Sequence, residues 1–198
     1  TPGKCVYGVF LNRMGDVLDD AIVYQCAVDQ YMIVVNSGQG REILQHLEAH
    51  KEMLRADLTD LSGQIGKLDV QGPLSAKILK KLIIKPDQVF ANMPYFSFKG
   101  YFDETSESVN QARLLDQTPL LLSRTGYTGE FGFEIFVRPE HFKKTWELII
   151  DSGKDMGLIP CGLAARDSLR TGAMLPLSHQ DIGPWAFLNH PWPFALPY

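Results

Sequence analysis

The 198-residue chain has little cysteine: only Cys5, Cys26 and Cys161, widely spaced and with no Cys-x-x-Cys pair. That argues against a disulfide scaffold or a thiolate zinc site. It favours a reducing compartment, the cytoplasm or, in a eukaryote, the mitochondrial matrix. Blocks of like charge are also missing. With 19 basic and 23 acidic residues the formal net charge is −4, which gives no electrostatic ground for binding nucleic acid. No apolar run is long enough to cross a bilayer, no secretory leader is visible, and no heptad or short repeat occurs. What remains has the composition of a soluble globular protein, 45% hydrophobic and 21% charged. The length suffices for one large domain or two small ones. The opening Thr1-Pro2-Gly3-Lys4 and the close at Pro197-Tyr198 both read as cut ends.

Patterning predicts strands over 6–12, 17–27 and 31–35, where β-branched and aromatic residues are dense. A helix is expected over 41–54, with Ile43, Leu44, Leu47 and Met53 near helical spacing. A strand over 66–70 leads through Gln71-Gly72-Pro73 to a short helix over 75–83. Pro86 and Pro94 bracket an expected loop and domain change near 85–94. Further strands are expected over 95–102, 112–116, 120–124 and 131–137, with a polar exposed turn over 103–110. Helices should cover 139–157 and 161–173. The aromatic and proline-rich segment 183–198 should be extended or loop-like. The fold class is α+β, with helices packed on antiparallel or mixed sheets.

Three polar clusters interrupt the apolar pattern. Asp19 and Asp20 lie side by side in a strand, so their side chains should point to opposite faces. They could equally mark a bend or a strand start. Arg124-Thr125-Gly126-Tyr127-Thr128-Gly129-Glu130 is a glycine-rich turn, and Glu134 follows inside an apolar strand. A carboxylate there needs a partner. A ligand with two adjacent N–H donors would serve, and so would a lysine or arginine paired to an edge glutamate. Arg166 and Arg170 are one helical turn apart and could clamp an anion, or could pair on the surface with Asp167. Gly38-Gln39-Gly40 is too short for a phosphate fingerprint. His46 and His50 fit a solvated helix face better than a metal site, and no metal is expected.

These clusters carry a resemblance. The ordered series Asp19-Asp20, Val34-Val35-Asn36-Ser37, Leu68-Asp69-Val70-Gln71-Gly72-Pro73, Arg124 to Glu130 with Glu134, and Gly162-Leu163-Ala164-Ala165-Arg166-Asp167-Ser168-Leu169-Arg170 resembles the glycine cleavage T-protein, or aminomethyltransferase, family. The match runs to about Ile182. The resemblance implies a piece of a three-domain cloverleaf around a folate channel, cut at both ends and without the family's C-terminal barrel. Residues 1–90 would be part of the second domain, an α/β sandwich. Residues 91–198 would be the main part of the first, folate-binding domain. It implies tetrahydrofolate as co-substrate and the lipoyl arm of a carrier protein (H-protein) as aminomethyl donor, with methylenetetrahydrofolate and ammonia as products. Asp20 matches the catalytic aspartate beside the reacting folate nitrogen. Glu134 matches the glutamate that holds the pterin ring, and Arg166 a folate-site arginine. Tyr127 and Asn36 match positions lining the folate cavity. Glu134, Arg166 and Asp20 should then face one cavity, with Asp19 turned away.

The chain departs from the family pattern at Thr171-Gly172 and again from Gly183-Pro184-Trp185 onward. These changes weaken the lipoyl donor more than the folate. Two rival readings follow. One is a folate-dependent demethylase of a small methylated substrate. The other is a non-catalytic folate-binding protein of the iron–sulfur maintenance branch, whose Lys-Gly-Cys-Tyr motif is replaced here by Arg124-Thr125-Gly126-Tyr127. The presence of Asp20 and the missing cysteine favour an enzyme.

Overall fold

The structure is a computed structural model and describes residues 1–51, 54–103 and 111–182. The chain forms two compact units. One contains Thr1–Ser62 and resumes at Pro176; the other is Gly63–Leu175.

The first unit is built on three antiparallel strands in the order β1 (Cys5–Leu11), β2 (Val17–Ala27) and β3 (Gln30–Val35). The turn between β1 and β2 is closed by Asn12, whose Oδ1 accepts from the backbone N–H groups of Met14 and Asp16. Such a side-chain turn is what asparagine favours outside regular structure. The pairing slips by one residue between Phe10 and Leu11, where Phe10 faces Asp19 and Leu11 faces Val17. A bulge of this kind re-aims the side chains beside it. Helix α1 (Gly40–His50) follows and buries Ile43. Its C-terminal turn carries His50 at the negative end of the helix. A wide helical turn, Ser178–Ile182, returns to pack on β2.

The second unit holds a five-stranded sheet with the order β4-β8-β7-β5, and β6 also pairs with β7. These are β4 (Gly66–Gln71), β5 (Phe98–Gly100), β6 (Ala112–Arg113), β7 (Pro119–Ser123) and β8 (Gly132–Val137). Strands β7 and β8 are buried at every position, as central strands should be. Alternation divides their residues between two faces. Leu68, Val70, Leu120, Leu122, Phe133, Ile135 and Val137 form one apolar core with Leu79, Ile83 and Ile149. Each such side chain contributes about 1.5–3 kcal/mol on full burial. Helices α2 (Ser75–Leu79) and α4 (Pro139–Gly153) supply the last three of these or flank them. The other face of the sheet carries Lys67, Asp69, Ser123 and Glu134, and there the polar site assembles.

The α+β class is as expected, and β2 spans the predicted residues end to end. The expected domain change near 85–94 is corrected. Strand β4 pairs along its length with β8, from Gly66↔Val137 to Gln71↔Gly132, so residues 66–90 belong with the second sheet. The chain divides instead at Ser62/Gly63 and Leu175/Pro176. The expected loop also contains a short helix, α3 (Pro86–Phe90), entered through Lys85 at φ 49° with Pro86 in the first turn. The strand expected over 95–102 shortens to Phe98–Gly100 because Phe96 (φ 57°) and Gly100 (φ 76°) are left-handed at both ends. The helix over 161–173 is α5 (Leu163–Gly172). The expectations for Met53, for residues 104–110 of the polar turn and for segment 183–198 lie outside the described residues.

Candidate functional site

In the first unit, register brings three of the singled-out residues together. Ala21 pairs with Val35, so Asn36, one residue past β3, lies across from Asp20. Its backbone N–H donates to Asp19 Oδ2 at 2.9 Å and its Nδ2 to Asp19 Oδ1 at 2.7 Å. The same Nδ2 donates to Asp20 Oδ1, while the Tyr7 hydroxyl donates to Asp20 Oδ2 at 2.7 Å. Asp19 is fully buried and Asp20 half-buried. The pair therefore does not mark a strand end. Asp19 is the inward acid, satisfied by two donors as burial requires. Asp20 is held from both sides by neutral donors. Because Nδ2 meets two carboxylates, the orientation of the Asn36 amide is settled by chemistry.

In the second unit, Glu134 sits in β8 with Asp69 opposite on β4 and Ser123 opposite on β7. Only 5% of its side chain is exposed. Lys67 reaches it diagonally across the strands and forms an ion pair with Oε1; Lys67 Nζ is also 3.8 Å from Asp69 Oδ2. Thr125 donates to Oε2, and its Oγ1 lies 2.7 Å from Ser123 Oγ. Thr125 has one hydroxyl proton, so the serine donates to the threonine. Arg166, in the first turn of α5, lies 4.7 Å above the Tyr127 ring and acts electrostatically on both Lys67 and Asp69.

These contacts set the charges. Burial opposes ionisation of Glu134, yet the Lys67 ammonium and the hydrogen bonds from Lys67 and Thr125 outweigh it and hold the carboxyl below its ordinary range. Asp69 moves the other way: burial raises it, and the neighbouring Glu134 adds to that against the pull of Lys67. Burial alone would lower Lys67, but the two carboxylates push it up. For Glu134 the stability is present above its unfolded value of about 4.3 and is lost as pH falls through the lower folded value. For Asp69 it is present below about 3.9 and is lost as pH rises through the raised folded value. We therefore expect Asp69→Asn to match or exceed the parent's denaturation midpoint at neutral pH. Glu134→Gln should lose the acid-side fall in stability. Denaturant melts between about pH 3 and 7 check both.

The glycine-rich turn is shaped by Gln71. Its Nε2 donates to the carbonyls of Thr125 at 3.3 Å and Phe133 at 3.1 Å, and Thr128 Oγ1 donates to its Oε1 at 3.4 Å. A Cβ on Gly126 would collide with this side chain, and one on Gly132 would also come within 2.8 Å of the Gln71 Cα. Gly132→Ala should therefore cost about 1–3 kcal/mol by overpacking, read as a lower thermal midpoint. The guanidinium of Arg124 stacks 3.9 Å from the Phe131 ring centre and closes the turn from outside.

The expected arginine pair divides. Arg170 is buried, with Nε and Nη2 both 2.7 Å from Asp167 Oδ1 and Nη1 donating to the Leu175 carbonyl, so it is a structural residue. Arg166 is exposed. Thus Asp20 and Asn36 meet in one unit, and Glu134, Tyr127 and Arg166 gather in the other. Composition, spacing and motif assign no role to Lys67, Asp69, Thr125 or Tyr7. The signal for the first two was the alternation Lys67, Asp69, Gln71 along β4, which also describes an ordinary solvated face. His46 and His50 lie 4.2 Å apart, ring to ring. Among the described residues, no group of three or more His, Cys, Asp or Glu is placed to hold a metal. No helix among them is long and apolar enough to cross a membrane.

The chain is 35% identical over 182 residues to an aminomethyltransferase of Anoxybacillus flavithermus, covering 92% of this chain and 46% of that protein. It is 36% identical over 179 residues to one from Clostridium botulinum, covering 90% and 45%. It spans about half the length of these relatives. The crystal structure of the glycine cleavage system aminomethyltransferase T from Bartonella henselae superposes with a TM-score of 0.69 at 26% identity, over 89% of this chain and 42% of that one. The heterotetrameric sarcosine oxidase of Corynebacterium sp. U-96 shares the fold, with a TM-score of 0.54 at 19% identity over 81% of this chain and 70% of that one. The model of the GCVT N-terminal domain matches residues 1–186, and the chain belongs to that family.

Proposed function

We propose that this chain is part of a tetrahydrofolate-dependent one-carbon transferase, and specifically of an aminomethyltransferase of the glycine cleavage type. The observation that carries the reading is Glu134, a buried carboxyl group paired to Lys67 in an apolar strand, on the same unit as Arg166 stacked over Tyr127. A carboxylate has about four lone-pair positions; Lys67 and Thr125 take two, and the opposed Asp69 carboxyl hydrogen-bonds it as well. A ligand's N–H edge would share what remains with Asp69, and a carboxylate suits the adjacent N–H donors of a pterin. Tyr127 offers an aromatic surface, and Arg166 a charge for an anionic group of the folate. The family membership and the aminomethyltransferases among the relatives support the same reading.

Tetrahydrofolate would supply the nucleophilic nitrogen that receives the one-carbon unit. Asp20, an acceptor fixed by Tyr7 and Asn36, would orient that nitrogen and assist movement of its proton. The lipoyl arm of a carrier protein would bring the aminomethyl group. The pattern change at Thr171-Gly172, the end of α5, keeps a small methylated donor as the second reading.

The test supplies the complete protein with tetrahydrofolate and either an aminomethyl-loaded lipoyl carrier or small methylated amines and sulfonium compounds. We expect ammonia and methylenetetrahydrofolate with the carrier alone. Turnover of the methylated compounds instead would make it a demethylase. Absence of tetrahydrofolate binding would remove the folate reading altogether.

A further inference from the structure

We propose that Lys67 is a positioning residue of the substrate site: its ammonium, shared between two opposed carboxylates, keeps Glu134 ionised and aimed as an acceptor for the ligand's N–H edge. The proposal rests on the folate reading for the identity of that ligand, but not for the role of the lysine itself.

Asp69 and Glu134 lie directly opposite on neighbouring antiparallel strands. Two like charges in that relation repel. Glu134 is the more deeply enclosed, and an enclosed carboxylate without a counter-ion takes up a proton. A protonated Glu134 would present one donor and fewer acceptor positions, the wrong pattern for two adjacent N–H groups. The Lys67 side chain stands between the carboxylates, paired to Glu134 and 3.8 Å from Asp69. It is contributed by the same strand and face as Asp69, two residues earlier, so alternation alone delivers both groups to Glu134. About a third of the lysine side chain is exposed (35%), whereas Glu134 is covered, so the polarity of the arrangement runs from solvent inward.

The groups around Glu134 come from three directions. Strand β4 supplies Lys67 and Asp69, the end of β7 and the turn after it supply Ser123 and Thr125, and α5 supplies Arg166. The hydroxyls of Ser123 and Thr125 are neutral. Arg166 stands over Tyr127 and is exposed. Lys67 is thus the cation in direct contact with Glu134 among the described residues. The direction of the Glu134 and Asp69 shifts agrees: one carboxyl is held down and the other raised, with Lys67 pulling on both.

The experiment uses the complete protein and two readouts. The first is the ¹³C carboxyl resonance of Glu134, assigned with Glu134→Gln and followed against pH. In the parent protein we expect it ionised throughout the range in which the protein is folded. Protonation of the parent's Glu134 near neutral pH would overturn the proposal with no variant needed. The second is the KM for tetrahydrofolate against pH in Lys67→Met and Lys67→Arg. For Lys67→Met we expect a Glu134 titration moved upward and a KM that rises about tenfold for each pH unit below it, since each such unit removes that share of the ionised form. Lys67→Arg should restore a flat profile. A lysine with a merely structural role would weaken binding by one factor at every pH and leave the Glu134 resonance unmoved, and that result would overturn the proposal. If the parent binds no tetrahydrofolate but the Glu134 titration moves upward in Lys67→Met, the ligand assignment fails and the control of Glu134 by Lys67 stands.

Discussion

Replacing Asp20 with asparagine in the complete protein is expected to lower kcat by about 10²–10⁴, the usual contribution of a positioned general acid or base. That corresponds to about 2.7–5.5 kcal/mol of transition-state free energy. Tetrahydrofolate affinity should change only a few-fold. The reason lies in the local geometry. Asparagine has the same shape, and its amide oxygen can still accept from the Tyr7 hydroxyl that now reaches Asp20 Oδ2 at 2.7 Å. The contact with Asn36 Nδ2 would then face an amide nitrogen, a donor against a donor, which loses one hydrogen bond. Asp19 keeps both of its donors, so the buried carboxylate beside the site stays satisfied. Folding stability should accordingly fall by about 1 kcal/mol or less. Proton handling is what the substitution removes, because an amide cannot take up a proton near neutral pH. The measurement is a kcat and KM comparison at saturating donor, with a thermal melt beside it. An unchanged kcat would take Asp20 out of the chemistry.

The parts of this arrangement differ in how plainly the sequence announces them. Strand β2 was legible because an eleven-residue run of apolar and β-branched residues has few other fates, even with two acids in it. Strand β8 was legible as a strand for the same reason, and the oddity of Glu134 within it was visible at once. Two readings of that glutamate were open, a ligand and a basic partner on an edge strand. The structure supplies the basic partner, Lys67, but places the glutamate in a central strand, with β4 on one side and β7 on the other. What the sequence could not give was the pairing. Lys67 and Glu134 are 67 residues apart, and nothing in the local pattern of β4 says which sheet it joins. The same gap misplaced the domain change, since assigning residues 66–90 to the first unit treats sequence neighbours as spatial ones. Helix α3 was hidden for a local reason. Five residues opening on Pro86 and entered through a left-handed lysine carry too little periodicity to register. Arg166 and Arg170 were correctly placed on one helix. Their separation into an exposed ring-stacked group and a buried guanidinium paired to the exposed Asp167 depended on Tyr127 and on the carbonyl of Leu175, neither of which spacing reveals.

The pairing that the sequence hid has the largest expected effect on folding. Glu134→Ala leaves Lys67 beside Asp69 alone and removes the acceptor for Thr125 in a dry part of the sheet. Breaking a fully buried ion pair costs about 3–5 kcal/mol. With 35% of the Lys67 side chain exposed, solvent recovers part of that. A loss of about 2–3 kcal/mol is therefore expected. A further part of it comes from truncating a covered side chain in a central strand. The pair can also be removed from both ends at once. In Lys67→Met with Glu134→Leu, apolar side chains of similar volume replace the ions. Such a replacement is often neutral or stabilising, because no charge is left to desolvate. Most of the lost stability should return in the double variant, giving a coupling free energy of about 1–3 kcal/mol in the cycle. Tetrahydrofolate affinity should not return, since leucine offers the N–H edge no acceptor. Equilibrium denaturation of the parent, Lys67→Met, Glu134→Leu and the double variant measures the cycle, and a direct binding titration of the same four proteins measures the ligand. Recovery of both stability and affinity would show that the ion pair serves the sheet and that Glu134 does not touch the ligand. Recovery of stability alone is the result that separates what holds this strand pair together from what the carboxylate is there to do.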